Sequence, residues 1–214
     1  CAGLSLGEYS ALVCSESISF EDAVRLVRLR GQFMEEASKE NPGTMAAIIG
    51  LETERVEEIA REGGSEVANL NSPGQVVISG SDEAVRKTVE LAKASGASKC
   101  IPLKVSGPFH SSLMNSASDK LRQELLKTTI KTPKIPFISN VTAEYVSDAQ
   151  AIKENLTLQV NHRTLWERSI RRMVEEGIIE YYEIGPAKVL KGILRKIDKN
   201  LAVTNIEKPA EIYI

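Results

Sequence analysis

The feature that most constrains the fold is an ordered run of strand and helix patterns in residues 44–105. Six elements are predicted there, in the order strand, helix, strand, strand, helix, strand, at residues 44–50, 54–61, 67–71, 75–79, 81–95 and 99–105. Two glycines at 63–64 end the first helix, an SPG turn at 72–74 separates the middle strands, and Ser81 caps the second helix. Since this order is the split βαβ pattern, residues 44–105 are predicted to form a ferredoxin-like subdomain.

The sequence on either side, residues 1–43 and 106–214, has a different pattern in which amphipathic helices alternate with apolar strands. Helices are predicted at 20–38, 111–127 and 165–176, with a fourth that follows Gly185-Pro186 and ends at residue 196. Strands are predicted at 135–141, 179–184 and 201–205. This alternation is typical of an α/β core with a mostly parallel sheet, which the subdomain interrupts in sequence.

Composition removes several classes of function. The 214 residues are 42% hydrophobic, so the chain can bury a core, and the 27 basic and 29 acidic residues are mixed without runs of one sign. We therefore expect no nucleic acid and no membrane as partner. Three cysteines without metal-type spacing and only two histidines predict no metal site and a cytoplasmic location. The chain opens on Cys1 rather than methionine, and we expect upstream residues to be missing.

A candidate nucleophile lies at the start of the chain. Residues 3–7 (GLSLG) fit the G-x-S-x-G pattern, in which small residues allow a tight turn that exposes the serine hydroxyl. The following residues, 8–13, have a helical pattern, as this turn requires. Ser5 is therefore a candidate nucleophile; the alternative is an ordinary residue at a helix start.

Arg30 occupies an unexpected position on its helix. A capping box at residues 19–22 starts the helix, and a rotation of about 100° per residue places Arg30 in the middle of the apolar face. A buried guanidinium needs an anion, because an unpaired buried charge costs several kcal/mol or more. A substrate carboxylate, a structural ion pair and a side chain that reaches water all remain open.

His110 is the better candidate for a base. It lies in a Gly-Pro loop between a predicted strand and a predicted helix, where functional side chains are often displayed, whereas His162 has the surroundings of a surface loop. The alternative for His110 is a capping or packing group.

Five ordered blocks carry a resemblance through nearly the whole chain: GLSLGEYSAL (3–12), RGQFM (30–34), NLNSPGQVVISG (69–80), VSGPFHSSLM (105–114) and YEIGPAKVLKGIL (182–194). Together they resemble the bacterial malonyl-CoA:acyl carrier protein transacylase family. The resemblance implies a hydrolase-like α/β core with an inserted ferredoxin-like subdomain. It implies that malonyl-CoA and acyl carrier protein are the partners, and that no cofactor is needed because the carrier brings the phosphopantetheine.

The resemblance also assigns residues. Ser5 would be the nucleophile, His110 its base, and Arg30 the group that binds the malonyl carboxylate. The backbone N–H of Leu6 would stabilise the oxyanion, and the main-chain carbonyl of Gln159 would orient His110.

Two further positions and two departures follow from the same resemblance. Asn140 matches an asparagine near the site, and Phe109 is expected to crowd a substituent on the α-carbon of the acyl group. Leu4 stands where the family commonly has histidine, and we expect activity to survive this change. The family's N-terminal strand and second oxyanion donor are absent, so we expect this polypeptide by itself to fold poorly or to be inactive.

Three other interpretations stay open at this point. An acyltransferase of polyketide or polyunsaturated lipid synthesis would share every catalytic residue. A serine esterase would not need Arg30. A docking module with a vestigial serine would form no acyl-enzyme.

Overall fold

The computed structural model describes residues 1–212, which form a mixed α/β protein. Its helices are α1 (Gly7–Cys14), α2 (Phe20–Glu40), α3 (Thr53–Gly63), α4 (Asp82–Ala94), α5 (Asn115–Lys127), α6 (Ala149–Gln159), α7 (Trp166–Glu175) and α8 (Val189–Ile197). Its strands are β1 (Thr44–Ile49), β2 (Glu66–Ser72), β3 (Gln75–Gly80), β4 (Lys99–Pro102), β5 (Glu180–Ile184) and β6 (Ala202–Ile206). Short 3₁₀ turns lie at Ser112–Met114 and Pro209–Glu211.

The first sheet is built from β1 to β4. The strand order is β2-β3-β1-β4, and every neighbouring pair is antiparallel. Successive side chains alternate between the two faces, so Ala46 and Ile48 of β1 pack with α3 and α4, while Met45 and Ala47 face the opposite side. All six elements predicted in residues 44–105 are present in the predicted order, with the last strand ending at Pro102.

A separate apolar cluster, apart from the one that β1 forms with α3 and α4, lies among α1, α2, α5 and α6. Ser19 starts α2, because its hydroxyl accepts a hydrogen bond of 3.1 Å from the backbone N–H of Asp22. Leu12, Leu26, Leu121 and Leu156, one from each helix, are buried in this cluster. This packing fixes α2, the helix that carries Arg30, against α1, which follows Ser5.

The C-terminal part contains a parallel pair of strands, β5 and β6. α7 and α8 pack with it around Trp166, Ile170 and Leu194. Within residues 1–212 the other parallel pairing is an isolated bridge between Asn69 and Thr164. The predicted mostly parallel core sheet is thus represented by two strands. None of the described helices has the length and apolar composition that crossing a bilayer would require.

The prediction of a strand at residues 135–141 is wrong. The segment forms only an isolated antiparallel bridge between Ile138 and Tyr145. Ile138 donates a hydrogen bond of 3.2 Å to the carbonyl of Cys1, and the amino group of Cys1 donates one of 2.5 Å to the carbonyl of Pro136. Within the described residues no ladder of successive pairs forms along this segment, and an apolar segment without a ladder is not a strand.

Helix α6 was not predicted from the sequence. The side chain of Asp148 caps it by accepting a hydrogen bond of 2.7 Å from the backbone N–H of Ala151. This cap is a recognisable start signal. The omission matters because α6 ends at Gln159, which lies in the candidate site.

Candidate active site

Ser5 lies on a tight turn that leads directly into α1. Its φ is +50°, a left-handed conformation that side chains rarely adopt. A Cβ atom added to Gly3 would lie 2.0 Å from the carbonyl oxygen of Gly7, so only glycine fits at this position. The turn therefore holds Ser5 in a strained conformation of the kind found at functional sites.

His110 approaches Ser5 from the loop before α5. Its Nε2 lies 2.9 Å from the Ser5 Oγ, and its Nδ1 lies 2.7 Å from the main-chain oxygen of Gln159. A carbonyl oxygen only accepts hydrogen bonds, so Nδ1 carries the proton of the neutral ring. Nε2 is then the unprotonated nitrogen that faces the serine hydroxyl, which is the arrangement that a general base requires.

The surroundings of His110 keep its ring neutral. Burial, together with the positive charge of Arg30, lowers the pKa of His110 to about 4. Hydrogen bonds with the backbone of Gln159 and His162 oppose this shift only in part. At neutral pH the imidazole is therefore free to accept a proton.

Arg30 is buried beside the same hydroxyl, with 6% of its surface exposed. Its Nη2 donates hydrogen bonds to the Ser5 Oγ at 2.9 Å and to the Gln159 Oε1 at 3.1 Å. Its guanidinium carbon lies 5.9 Å from the centre of the Tyr9 ring. Burial lowers its pKa, but an arginine stays protonated in a protein.

The charge of Arg30 lacks a direct counter-ion. Among residues 1–212 no carboxylate forms an ion pair with it, and its buried Nε has no acceptor there. Two of the alternatives left open by the sequence, a structural ion pair and a side chain that reaches water, are therefore not what these residues show. A buried cation with unused donors is suited to receive an anionic group.

Gln159 and Asn140 hold the backbone of the serine turn. The Gln159 Nε2 donates a hydrogen bond of 2.9 Å to the carbonyl of Ser5. The Asn140 Oδ1 accepts one of 2.6 Å from the N–H of Ser5, and its Nδ2 donates one of 2.8 Å to the carbonyl of Gly3. Both side chains are fully buried, so these bonds are shielded from competition with water.

The structure adds Glu8, which the sequence analysis did not single out. Its side chain is completely buried and accepts hydrogen bonds from the Gln159 Nε2 and, at 3.2 Å, from the backbone N–H of Asn140. Burial raises the pKa of Glu8 to about 7, although hydrogen bonds from Gln159, Asn140 and Ser139 and the charge of Arg30 oppose this shift. An acidic residue in the first turn of a helix is ordinary in a sequence, so no local signal distinguished it.

Leu6 and Phe109 are placed differently from the buried network. The Leu6 side chain is 52% exposed, and among the described residues none accepts a hydrogen bond from its backbone N–H. Phe109 is partly buried and packs against two apolar clusters, one under α2 and one under the first sheet. His162 is exposed, as its loop position predicted.

A cleft of about 480 Å³ opens beside His110. One wall belongs to α3 and β2, and the other belongs to the start of α5 and residues 161–163. The two walls are fastened at Thr164, which exchanges backbone hydrogen bonds of 2.9 Å with Ala68 and Leu70 of β2. His110 is the member of the Ser5 and His110 pair that lines this cleft.

Comparisons with known proteins agree with this geometry. At the level of class, residues 1–192 match the family described as the acyl transferase domain. The malonyl CoA-acyl carrier protein transacylase of Bacillus subtilis is 45% identical over 218 aligned residues, which cover 100% of this chain and 69% of that protein. The chain belongs to the malonyl CoA-acyl carrier protein transacylase family.

Solved structures give the same picture. The acyl-carrier-protein S-malonyltransferase of Burkholderia pseudomallei superposes with a TM-score of 0.94 at 42% identity, covering 99% of this chain and 70% of that one. A malonyl-transacylase solved in complex with a type II PKS acyl carrier protein has a TM-score of 0.94 at 40% identity, with the same coverage of both chains.

Proposed function

We propose that the protein transfers a malonyl group from malonyl-CoA to the phosphopantetheine thiol of acyl carrier protein, in fatty acid biosynthesis. The observation that carries this proposal is the convergence of three side chains: the Ser5 Oγ lies 2.9 Å from the His110 Nε2 and 2.9 Å from the Arg30 Nη2. We infer malonyl-CoA as the substrate and acyl carrier protein as the acceptor from the names of the relatives.

The first half of the reaction forms an acyl-enzyme. His110 takes the proton of the Ser5 hydroxyl through Nε2, and the Oγ attacks the thioester carbon. The backbone N–H of Leu6, which has no other acceptor among the described residues, stabilises the oxyanion of the tetrahedral intermediate. The carbon–sulfur bond breaks, the CoA sulfur receives the proton from His110, and malonyl remains as an ester on Ser5.

The second half reverses the roles of the two thiols. The carrier thiol gives its proton to His110, and its sulfur attacks the malonyl ester. The ester bond to Ser5 breaks, and the Oγ recovers its proton from His110. Throughout both halves, Gln159 holds the His110 ring through its main-chain oxygen. No cofactor of the chain's own enters either half, and the cytoplasm, where a reduced carrier thiol persists, is the location that we propose.

Arg30 provides selectivity for an acyl group that ends in a carboxylate. Its present acceptors, the Ser5 Oγ and the Gln159 Oε1, are both neutral and both use Nη2. A carboxylate can engage a guanidinium through two parallel hydrogen bonds, and such a pair is strong where water is excluded. Acetyl-CoA offers no such group, so the site discriminates against it. Phe109 remains our proposal for crowding a substituent on the α-carbon.

We further propose that the chain has two structural units: a hydrolase-like core of residues 1–43 and 106–214, and a ferredoxin-like subdomain of residues 44–105. The element order and the antiparallel order β2-β3-β1-β4 support the subdomain. The serine turn before α1 and the parallel pair β5-β6 support the core.

The decisive experiment is mass spectrometry of the full-length protein after incubation with malonyl-CoA. A malonyl adduct on the peptide that contains Ser5 is expected, and it should disappear when holo acyl carrier protein is added, with malonyl gained by the carrier. The Ser5→Ala variant is the control that must lack the adduct. Rapid hydrolysis of simple esters with no retained malonyl would contradict the proposal and favour a serine esterase.

The same assay can separate the fatty acid pathway from a polyketide pathway. One similar structure holds a type II PKS acyl carrier protein, so both kinds of carrier belong in the assay. We expect the fatty acid carrier to accept malonyl faster. Preference for a polyketide carrier would move the protein to the second pathway while leaving the chemistry of Ser5 unchanged.

A further inference from the structure

Glu8 is the one carboxylate that is completely buried in the described part of this site. Its two oxygens face donors only: Oε1 accepts from the backbone N–H of Asn140 at 3.2 Å, and Oε2 accepts from the side-chain amide of Gln159. The mechanism proposed above does not use Glu8. A buried acid is retained only where its partners satisfy it, so its place beside the site needs a reason.

The reason lies in the orientation of the Gln159 amide. Such an amide has a donating end and an accepting end, and its neighbours decide which way it faces. Glu8 and the carbonyl of Ser5 both require the NH₂ group, which lies 2.9 Å from the latter. The remaining end, Oε1, is thereby turned to the Arg30 Nη2 at 3.1 Å. Glu8 and Arg30 are thus joined through one amide.

We propose that Glu8 is a positioning residue for carboxylate selectivity: it fixes the Gln159 amide so that its oxygen holds the Arg30 guanidinium in place for the malonyl carboxylate. This inference rests on the proposed function of Arg30. Glu8 reaches Arg30 only through the Gln159 amide and forms no ion pair with it among the described residues. The guanidinium therefore keeps donors, the buried Nε among them, for the carboxylate of the substrate.

A reversed amide would weaken the hold on Arg30. It would direct the Gln159 NH₂ at a cation that only donates, and the guanidinium would shift away from the Ser5 Oγ. The Ser5 and His110 pair would suffer less, because the main-chain oxygen of Gln159, not its side chain, holds the His110 ring. Loss of Glu8 should therefore affect the choice of acyl group more than the chemistry of transfer.

The test compares acylation of Ser5 by malonyl-CoA and by acetyl-CoA in the Glu8→Gln variant. A glutamine at this position replaces one of the two oxygens by an NH₂ group, which would face a donor, either the N–H of Asn140 or the NH₂ of Gln159. We expect the ratio of kcat/KM for malonyl-CoA to that for acetyl-CoA to fall by about tenfold or more, mainly through a higher KM for malonyl-CoA. An unchanged ratio in a folded variant would overturn the inference.

A double-mutant cycle separates positioning from general damage. In an Arg30→Ala background, Glu8→Gln should change the ratio by less than about twofold, because the group that it positions is already gone. An equal fall in both backgrounds would mean that Glu8 acts independently of Arg30 and would sink the inference. The matched control is Glu183→Gln, whose carboxylate caps α8 through the N–H groups of Leu190 and Lys191 at 2.9 Å, and which should leave the ratio unchanged.

A second variant keeps the test decisive if Glu8→Gln does not fold. Gln159→Met removes the amide but keeps the length of the side chain and the main-chain oxygen, so it should reproduce the loss of selectivity. A folded Gln159→Met protein with the ratio of the unmodified protein would overturn the inference. If the unmodified protein forms no malonyl-Ser5 at all, the proposed function fails instead, so the two failures are distinguishable.

Discussion

The first sheet and the serine site are stabilised in different ways. In the first sheet and its two helices, apolar side chains join elements that are close in sequence, so Ile48, Ile78 and Val85 pack in one cluster. The site joins residues that are far apart in sequence through buried polar bonds, such as Ser5 with His110 and Glu8 with Gln159. Stability and selectivity should therefore respond separately to mutations in these two regions.

The largest effect is expected at the serine. Ser5→Ala removes the nucleophile and should reduce malonyl transfer by roughly 10⁴-fold or more. The free energy of unfolding should fall by only about 1 kcal/mol, because the substitution removes the part-buried hydrogen bonds of the hydroxyl with His110 and Arg30. Transfer is measured with labelled malonyl-CoA, and unfolding with denaturant. Substantial residual transfer would show that another residue carries the acyl group.

A substitution in the first sheet should instead lower stability and leave selectivity unchanged. Ile78→Ala in β3 deletes a completely buried side chain and should reduce the free energy of unfolding by about 2 to 5 kcal/mol. The ratio of activity on malonyl-CoA to that on acetyl-CoA should stay constant at temperatures where the variant is folded, because Ile78 packs in the apolar cluster between the first sheet and helices α3 and α4. Thermal or denaturant unfolding measures the first quantity. A changed ratio in the folded variant would show that the two regions are coupled.

Arg30→Ala tests selectivity directly. Removal of the guanidinium should reduce kcat/KM for malonyl-CoA by about a hundredfold while changing that for acetyl-CoA far less. The control is Arg28→Ala on the same helix, an exposed arginine that should alter neither value. Equal losses on both substrates would argue against a carboxylate clamp and for a structural role of Arg30.

The smallest effect is the pH dependence of acylation. His110 must be neutral to accept the proton, and its pKa is lowered to about 4 by burial and by Arg30. As pH falls from 7, kcat/KM for Ser5 acylation by acetyl-CoA, which does not use the Arg30 carboxylate site, should therefore hold through pH 6.5, the ordinary value for histidine, and reach half only near pH 4. A half-point near 6.5 would mean that water reaches the ring during the reaction. Circular dichroism across the same range separates unfolding from titration.

The shifted pKa values of His110 and Glu8 also make the stability of the fold depend on pH. Because the folded pKa of His110 lies below its unfolded value, the unfolded chain binds more protons between about pH 6.5 and 4, and this group destabilises the fold as pH falls through that window. Glu8 acts in the other direction. Because the pKa of Glu8 is raised, the folded chain binds more protons than the unfolded chain between about pH 4.5 and 7. The stability that Glu8 contributes to the fold therefore falls as pH rises through that window.

Sequence by itself determined the elements whose signals are local. Short apolar runs and the turn residues between them predicted β1 to β4 in order, and the period of the helix placed Arg30 on a buried face. Small residues around Ser5 predicted a tight turn, and the structure shows a positive φ there. These signals survive because neighbouring residues create them.

Tertiary structure decided the rest. Residues 135–141 have a strand composition but form no ladder, since a strand exists only where another backbone pairs with it. Glu8 has the sequence position of an ordinary helix-start acid, yet contacts with residues more than 130 positions away bury it completely. Burial and hydrogen-bond partners of this kind come from distant parts of the chain, so no local pattern can carry them.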